Sequence, residues 1–327
     1  MKDKIKDVFN FFVRVGLSGA LLYYIFSKID IEKTKGVLLS AELIYIFYAF
    51  LTFIVINIII LVRWRIYIKA LDIDASNKDI TRYYLVGLFG NLFLPSAIGG
   101  DLIKIYGLCK GSNQKARVVA SVLLDRLSGF ASIVIVAVTS FVVGYKYIQN
   151  AFLLVPIAIM ALCSFGIAAV LFNEKIYSFG CKVFNGFPKI KNNLMKLHYD
   201  IMLLNDKRIE GVKAVGLSCL SQVTFAFTFY FTAKALHQDI SIIYFLIFIP
   251  LICVASSVPS IGGLGVREAG TAFLFAKVGV ESGVSVSMSL ISFLFMVVVG
   301  LIGGAVYVIT LHSGRVQYCA SDAGGPQ

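Results

Sequence analysis

Long apolar runs broken by short polar stretches dominate the chain. A helix needs about 20 mostly apolar residues to cross the hydrocarbon of a bilayer. Six segments meet that length: 8–27, 43–62, 127–145, 151–172, 214–236 and 286–311. Two further apolar stretches, 83–100 and 240–258, end differently. The first runs into Pro95-Ser96-Ala97-Ile98-Gly99-Gly100 and the second into Pro259-Ser260-Ile261-Gly262-Gly263. Proline and clustered glycine break helices, and broken backbone at membrane depth survives only inside protein or beside water. The pattern therefore predicts two re-entrant elements, with 101–124 and 264–282 as their return arms. The alternative is a plain span ending in a loop.

Composition supports a lipid environment. Hydrophobic residues make up 58% of the 327 residues and charged ones 15%, with a mean hydropathy of +0.86. Ordinary soluble domains are about 45–50% apolar and about 25% charged. A secreted enzyme, a soluble nucleotide-binding domain and a disordered regulator are excluded on that ground. The net charge of +12 is no sign of a nucleic-acid partner, because the basic residues lie mainly between apolar runs, where they set orientation. With the N-terminus in the cytoplasm, 22 Lys and Arg fall in cytoplasmic stretches and 7 in outer ones. The expectation is a multi-pass protein of the cell membrane with six crossings, two re-entrant elements and both termini inside. Lys2, Lys4 and Lys6 before an apolar stretch resemble a signal peptide. Arg14 interrupts that stretch and no clear cleavage site follows, so it reads as an uncleaved first span.

The two Pro-Ser/Gly-Gly clusters are 164 residues apart, half the chain length. Each half then holds three crossings and one re-entrant element. Three is odd, so the second half is inverted relative to the first. Interrupted hydrophobic segments at corresponding places in two halves point to a transporter's binding site. The expected architecture is all-α: a transmembrane domain over 1–312, with half-repeats at about 1–148 and 149–312, and a polar tail at 313–327.

Ionisable residues in apolar surroundings cost a few kcal/mol on insertion scales and mark functional sites. One group follows the first break: Asp101 and Lys104, then Asp125-Arg126 opening the third crossing. The other follows the second break: Arg267-Glu268. A helix restarting after a glycine-rich turn presents free N–H groups and a positive dipole end to an anion. Arg126 and Arg267 add planar forks suited to phosphate oxygens. Asp125 and Glu268 would hold those forks in the empty site or titrate during transport. Gly99, Gly100, Gly262 and Gly263 would offer backbone.

Each assignment has a plainer reading. Asp125-Arg126 could be an interfacial pair capping a helix, Arg267-Glu268 a structural pair, and Asp101 an N-cap needing no ligand. Asn91 is either polar glue or a lining residue. Arg63-Trp64-Arg65 and Tyr67 read as an interfacial anchor. Gly300 and Gly304 form a weak G-x-x-x-G packing signal. Asp72, Asp74 and Asp79 sit among basic residues and read as a solvated loop. The six cysteines and three histidines lack ligand spacing, so no metal is implied. No G-x-S-x-G, H-E-x-x-H or P-loop is present. No cofactor is implied. The basic segment 173–213 would rest on anionic lipid headgroups at the cytoplasmic face.

Gly90-Asn91-Leu92-Phe93-Leu94-Pro95 through Gly99-Gly100-Asp101, then Ala116-Arg117 and Leu124-Asp125-Arg126, resembles the first signature of the lysylphosphatidylglycerol synthase transmembrane-region family of flippase-like proteins. The stretch from Pro259 to Glu268 is similar to its second signature. The resemblance covers roughly residues 5 to 312. It implies a translocase for anionic or aminoacylated phospholipids, or lipid-linked sugars, between leaflets. The chain ends soon after the last span, so the aminoacyl-transferase domain of bifunctional members is not expected here. Members often carry an Arg in the last span, where this chain has Ser289, Ser292 and Met296. The reading is thus a lipid translocase. Its implied partners are a membrane phospholipid or lipid-linked substrate and, as a further candidate, a lipid-modifying enzyme. The rivals are a membrane-embedded transferase acting on polyprenyl phosphate and a non-transporting scaffold for an envelope-synthesis enzyme.

Overall fold

A computed structural model of the chain describes residues 31–93, 99–109, 114–144, 155, 158, 159, 162, 166, 207–256 and 265–322. The expected spans at 8–27 and 151–172 lie outside the described residues, apart from five isolated positions in the latter. So do Arg14, Gly262, Gly263, most of 173–213, and the break segments 94–98 and 257–264. The described elements are all helical: α1 (Ile31–Leu39), α2 (Leu43–Ala70), α3 (Asn77–Phe93), α4 (Gly99–Cys109), α5 (Lys115–Gly144), α6 (Arg208–Ala235), α7 (Ile242–Ala255), α8 (Val266–Ala276) and α9 (Ser282–Asp322). Among the described residues, four helices are long and apolar enough to cross a membrane: Leu43–Ala70, Lys115–Val143, Arg208–Ala235 and Ser282–Ile309.

α2 and α6 form an antiparallel pair. Glu42 N–H bonds to the Ala235 carbonyl at one end, Thr52 and Thr228 hydroxyls meet at 3.0 Å within the pair, and Lys207 bonds Asp72 at the other end. Leu43, Ile44, Phe47 and Ile58 on α2 are exposed, as a lipid-facing stripe requires. α3 begins at the Asp72 end, where Ser76 and Asp79 cap it reciprocally: the Ser76 hydroxyl accepts from Asp79 N–H and donates to the Asp79 carboxylate. The aspartates expected in a solvated loop thus close a loop and start a helix.

α3 and α4 fold back on each other as the first expected re-entrant element. The Asn91 side-chain oxygen accepts from Gly100 N–H at 2.9 Å, and Gly107 lies against the Tyr83 ring. This hairpin enters from the Asp72 end. α7 and α8 make a second hairpin, with Phe245 and Phe248 stacked on Phe275 at 5.0 and 5.3 Å. It enters from the Glu42 end, since α7 follows the end of α6 and Tyr230 packs on Phe245. The two hairpins therefore point towards each other.

Helix α9 runs alongside α3 through the expected glycines. Gly300 faces Leu92 and the Leu88 carbonyl, Gly303 the Leu85 backbone, and Gly304 the Phe89 ring. Two apolar cores result. One surrounds the second hairpin (Phe229, Phe245, Phe248, Phe275), and the other gathers at the base of the first (Trp64, Tyr84, Leu108, Leu124). A polar layer separates them.

Two expectations are corrected. Asp125 and Arg126 do not open a helix, because α5 starts at Lys115 and carries them in its interior. The apolar run that suggested a start at 127 extends backwards through Val118, Ala120, Val122 and Leu124, all buried. Arg63, Trp64 and Tyr67 are not an interfacial anchor either. α2 continues to Ala70, and all three side chains are buried.

Candidate functional site

The polar layer is built from three helices and the tip of the first hairpin. On α2, Arg63 donates from Nε to Asp125 at 2.6 Å and from its terminal nitrogen to the Ser218 hydroxyl at 3.0 Å, joining α2, α5 and α6. Both members of the ion pair are buried. On α4, Asp101 accepts from Lys104 Nζ at 3.3 Å and from Arg126 Nε at 2.5 Å. Lys104 also lies over the Trp64 and Tyr84 rings at 5.3 and 5.1 Å, a placement in which ring faces stabilise an ammonium group. Asp101 sits in the first turn of α4, where the helix dipole favours a carboxylate. Its side chain reaches cations rather than serving only as a cap.

These groups line one cavity of about 300 Å³, with Arg63, Asn91, Asp101, Lys104, Asp125 and Arg126 on its wall. Asn57, Ser221 and Gln222 add neutral polar groups, and Cys253 comes from the tip of the second hairpin. The Arg126 side chain is 42% exposed, while those of Lys104, Asp101, Arg63 and Asp125 are each 8% or less. Three cations and two carboxylates leave a formal charge of one positive unit. Asn91 does both things considered for it: it stitches the hairpin to Gly100 and lines the cavity.

Arg267 and Glu268 are placed differently. Glu268 is fully buried and accepts from Gly265 N–H at 2.7 Å, from Arg267 at 2.8 Å and from the Ser289 hydroxyl at 2.8 Å. Arg267 also donates to Ser289 and lies 5.5 Å from the Phe293 ring. Gly265 has φ +87°, a conformation that L side chains rarely adopt. The turn lets Glu268 reach back over the start of α8, and Arg267 closes on it. Of the residues expected to share one pocket, Arg126 lines this cavity, while Arg267 and Glu268 do not. Gly99 and Gly100 are buried at the start of α4, and Gly100 spends its N–H on Asn91.

Arg63, read from the sequence as part of an interfacial anchor, belongs to the site, as do Asn57, Ser218, Ser221 and Gln222, which the sequence alone did not single out. Each is a polar residue within a span, and intramembrane polar groups are signals in their own right.

Among the described residues, an all-α bundle with four membrane-length helices and two opposed hairpins around a buried charged layer defines a multi-pass membrane protein. The chain belongs to the family described as lysylphosphatidylglycerol synthase TM region, which matches residues 11–304. It is 24% identical over 305 residues to the UPF0104 membrane protein PH1989 of Pyrococcus horikoshii, covering 85% of this chain and 90% of that one. It is 25% identical over 316 residues to the UPF0104 membrane protein MJ1595 of Methanocaldococcus jannaschii, covering 90% and 93% respectively. No solved structure matches the chain significantly. Membership fits a lipid-related role in the membrane.

Proposed function

We propose that the protein moves an anionic, aminoacylated or glycosylated phospholipid, or a lipid-linked intermediate, between the leaflets of the cell membrane. The observation that carries this reading is the charged cavity lined by residues of both hairpins, which enter from opposite ends of the bundle. An ionised phosphodiester bears one negative charge, which offsets the single net positive charge of the wall. Arg126 and Lys104 are the groups offered to the phosphate, with Asp101 holding both cations in place between guests. Cations in a low-dielectric site interact with an anion far more strongly than they do in water. Beyond their roots the acyl tails stay in lipid, since exposing them along a polar path costs about 0.8 kcal/mol per CH₂.

The end of the bundle carrying Lys69, Lys78, Arg82, Lys115, Lys207 and Arg208 faces the cytoplasm in this reading. That end is richer in basic residues than the one with Lys35, Lys234 and Lys277. Basic side chains there rest on anionic headgroups, each worth about 1 kcal/mol near the surface. Movement is passive, or coupled to an ion gradient or to a partner enzyme's chemistry.

The test is scrambling of a fluorescent anionic lipid by purified protein in liposomes, read by access of a membrane-impermeant quencher. Arg126→Ala is expected to reduce the rate to that of protein-free vesicles. An unchanged rate in that variant, with folded protein, refutes the site.

A further inference from the structure

A second cavity, of about 240 Å³, adjoins the charged one. Its wall is largely apolar, with Phe53, Ile56, Phe225, Met296 and Val299 contributed by α2, α6 and α9. Asn57, Ile60, Leu88, Ser221 and Gln222 line both cavities, so the two chambers share one wall. In that wall the Gln222 side-chain oxygen, Oε1, is buried and has no hydrogen-bond partner among the described residues. Leaving such an acceptor unsatisfied forfeits its hydration with nothing in return, and an unpartnered buried group in a cavity wall calls for a guest that supplies the donor. The last torsion of a glutamine is soft, so the amide can turn its oxygen towards either chamber.

We propose that the substrate is an anionic amphiphile bound across both chambers at once. This rests on the anion reading of the charged cavity. The anionic group lies against Arg126 and Lys104, the root of the apolar chain enters the chamber of Phe53, Phe225 and Val299, and Gln222 Oε1 accepts a hydrogen bond from a hydroxyl or N–H between them. Gln222 is then a specificity-determining residue. It favours lipids that bring a free donor to this amide over lipids of the same charge and chain that lack one. The order of the parts follows the order of the walls: cationic, then amide, then apolar.

The experiment measures binding of two soluble probes to the full-length protein in nanodiscs. One is a 1-oleoyl-glycerol 3-phosphomethanol with its 2-hydroxyl free, and the other is its 2-deoxy analogue. Both carry one negative charge and the same chain, and they differ in a single donor. The wild-type protein is expected to bind the hydroxyl probe about 5-fold more tightly, the scale of one neutral hydrogen bond. Gln222→Leu is expected to equalise the two. Equal binding by the wild-type protein, which needs no variant to fold, overturns the proposal, as does a preference that persists in Gln222→Leu. Arg126→Gln reports on the underlying reading separately: it should weaken both probes by a similar factor, and unchanged binding of both removes the anion site itself.

Discussion

The two hairpins share a design and dispose of their charges in opposite ways. The first, α3 and α4, is drawn together at small residues. A side chain at Gly100 would meet the Gly87 carbonyl and the Asn91 amide, and one at Gly90 would meet Ile103. Its ionic groups, Asp101 and Lys104, extend to α5 and line a cavity. The second, α7 and α8, is held apart by rings, with Phe245, Phe248 and Phe275 between its arms. Its ionic groups close on each other, and Glu268 is fully satisfied by Gly265, Arg267 and Ser289. One hairpin presents charge to a space and the other consumes its charge in holding a turn. Identical placement in the fold therefore does not confer identical chemistry. The difference lies in the partners: Arg267 and Ser289 close on Glu268, whereas Asp101 ties Lys104 of its own helix to Arg126 of a neighbour at a cavity wall.

The sharpest way to break this comparison is to attack the layer both hairpins rest on. Asp125→Ala leaves Arg63 buried without its carboxylate, and losing one partner of a buried pair costs about 3–5 kcal/mol. Thermal unfolding in detergent should show a large fall in stability. The double variant Arg63→Met with Asp125→Leu should recover most of it, because the uncompensated charge is gone. If the double variant is no better than Asp125→Ala, the ion pair is not what the layer depends on.

The hairpins themselves should separate in a matched pair of acid deletions. Glu268→Ala strands Arg267, Ser289 and the Gly265 N–H together, and hydrogen bonds to charged groups each contribute about 1.5–3 kcal/mol net. A stability loss of about 3–5 kcal/mol is expected, as for any buried pair that loses one partner. Asp101→Ala should cost less, about 2–3 kcal/mol, since the Arg126 side chain is 42% exposed and can be solvated, and the Trp64 and Tyr84 rings still face the buried Lys104 that loses its carboxylate. Lipid movement should nevertheless fall in Asp101→Ala to near background, because Arg126 and Lys104 lose the group that aims them. Equal losses of stability in the two variants would erase the distinction between a presenting and a consuming hairpin.

A smaller test concerns the way the arms touch. Gly100→Ala forces the first hairpin open against backbone, and overpacking of this kind costs about 1–3 kcal/mol. Gly270 on α8 has only the Ile252 side chain near, at 3.7 Å, so Gly270→Ala should be neutral or stabilising by up to about 1 kcal/mol from helix propensity. Melting temperatures of the two variants should move in opposite directions.

The sequence revealed breaks more readily than it revealed partners. Pro95 with Gly99-Gly100 and Pro259 with Gly262-Gly263 located both hairpins, because helix breaking is local and needs no knowledge of the fold. The four described spans were legible for the same reason, their centres being apolar. Their ends were less so. Arg63, Trp64 and Tyr67 look like interface residues in a one-dimensional reading, yet α2 and α5 carry their charges inward, since Arg63 and Asp125 neutralise each other across 62 positions of sequence. Nothing in the spacing identifies that match. Likewise Glu268 and Arg126 stand in equally apolar settings, and only the packing shows that one is closed by Ser289 and Arg267 while the other faces a cavity. Gln222 was readable as an intramembrane amide, but its missing partner is a property of three helices together.

The weakest expected effect lies at the two ends of the bundle, where the comparison predicts similarity. At the end from which the first hairpin enters, Lys207 bonds Asp72 at 2.7 Å. At the other, Lys234 bonds Asp239 at 2.5 Å. The hydrogen bond from Lys207, and then its charge, holds the Asp72 carboxyl below its usual range, and Lys234 does the same for Asp239. A carboxyl whose folded value is depressed contributes stability that is present above the unfolded value, about 3.9 for Asp, and lost as pH falls through the folded value. Both pairs are exposed, and exposed pairs contribute little because water and salt screen them. Asp72→Asn and Asp239→Asn should therefore each lower the melting temperature at pH 7 by an amount near the limit of measurement. That difference from wild type should shrink together in the two variants as the pH is taken below 4, and it should be smaller in high salt. A large effect of one and none of the other would mean that the ends, like the hairpins they carry, are not equivalent, and that the Asp72–Lys207 contact fixes α6 against the loop after α2 more firmly than a surface pair can.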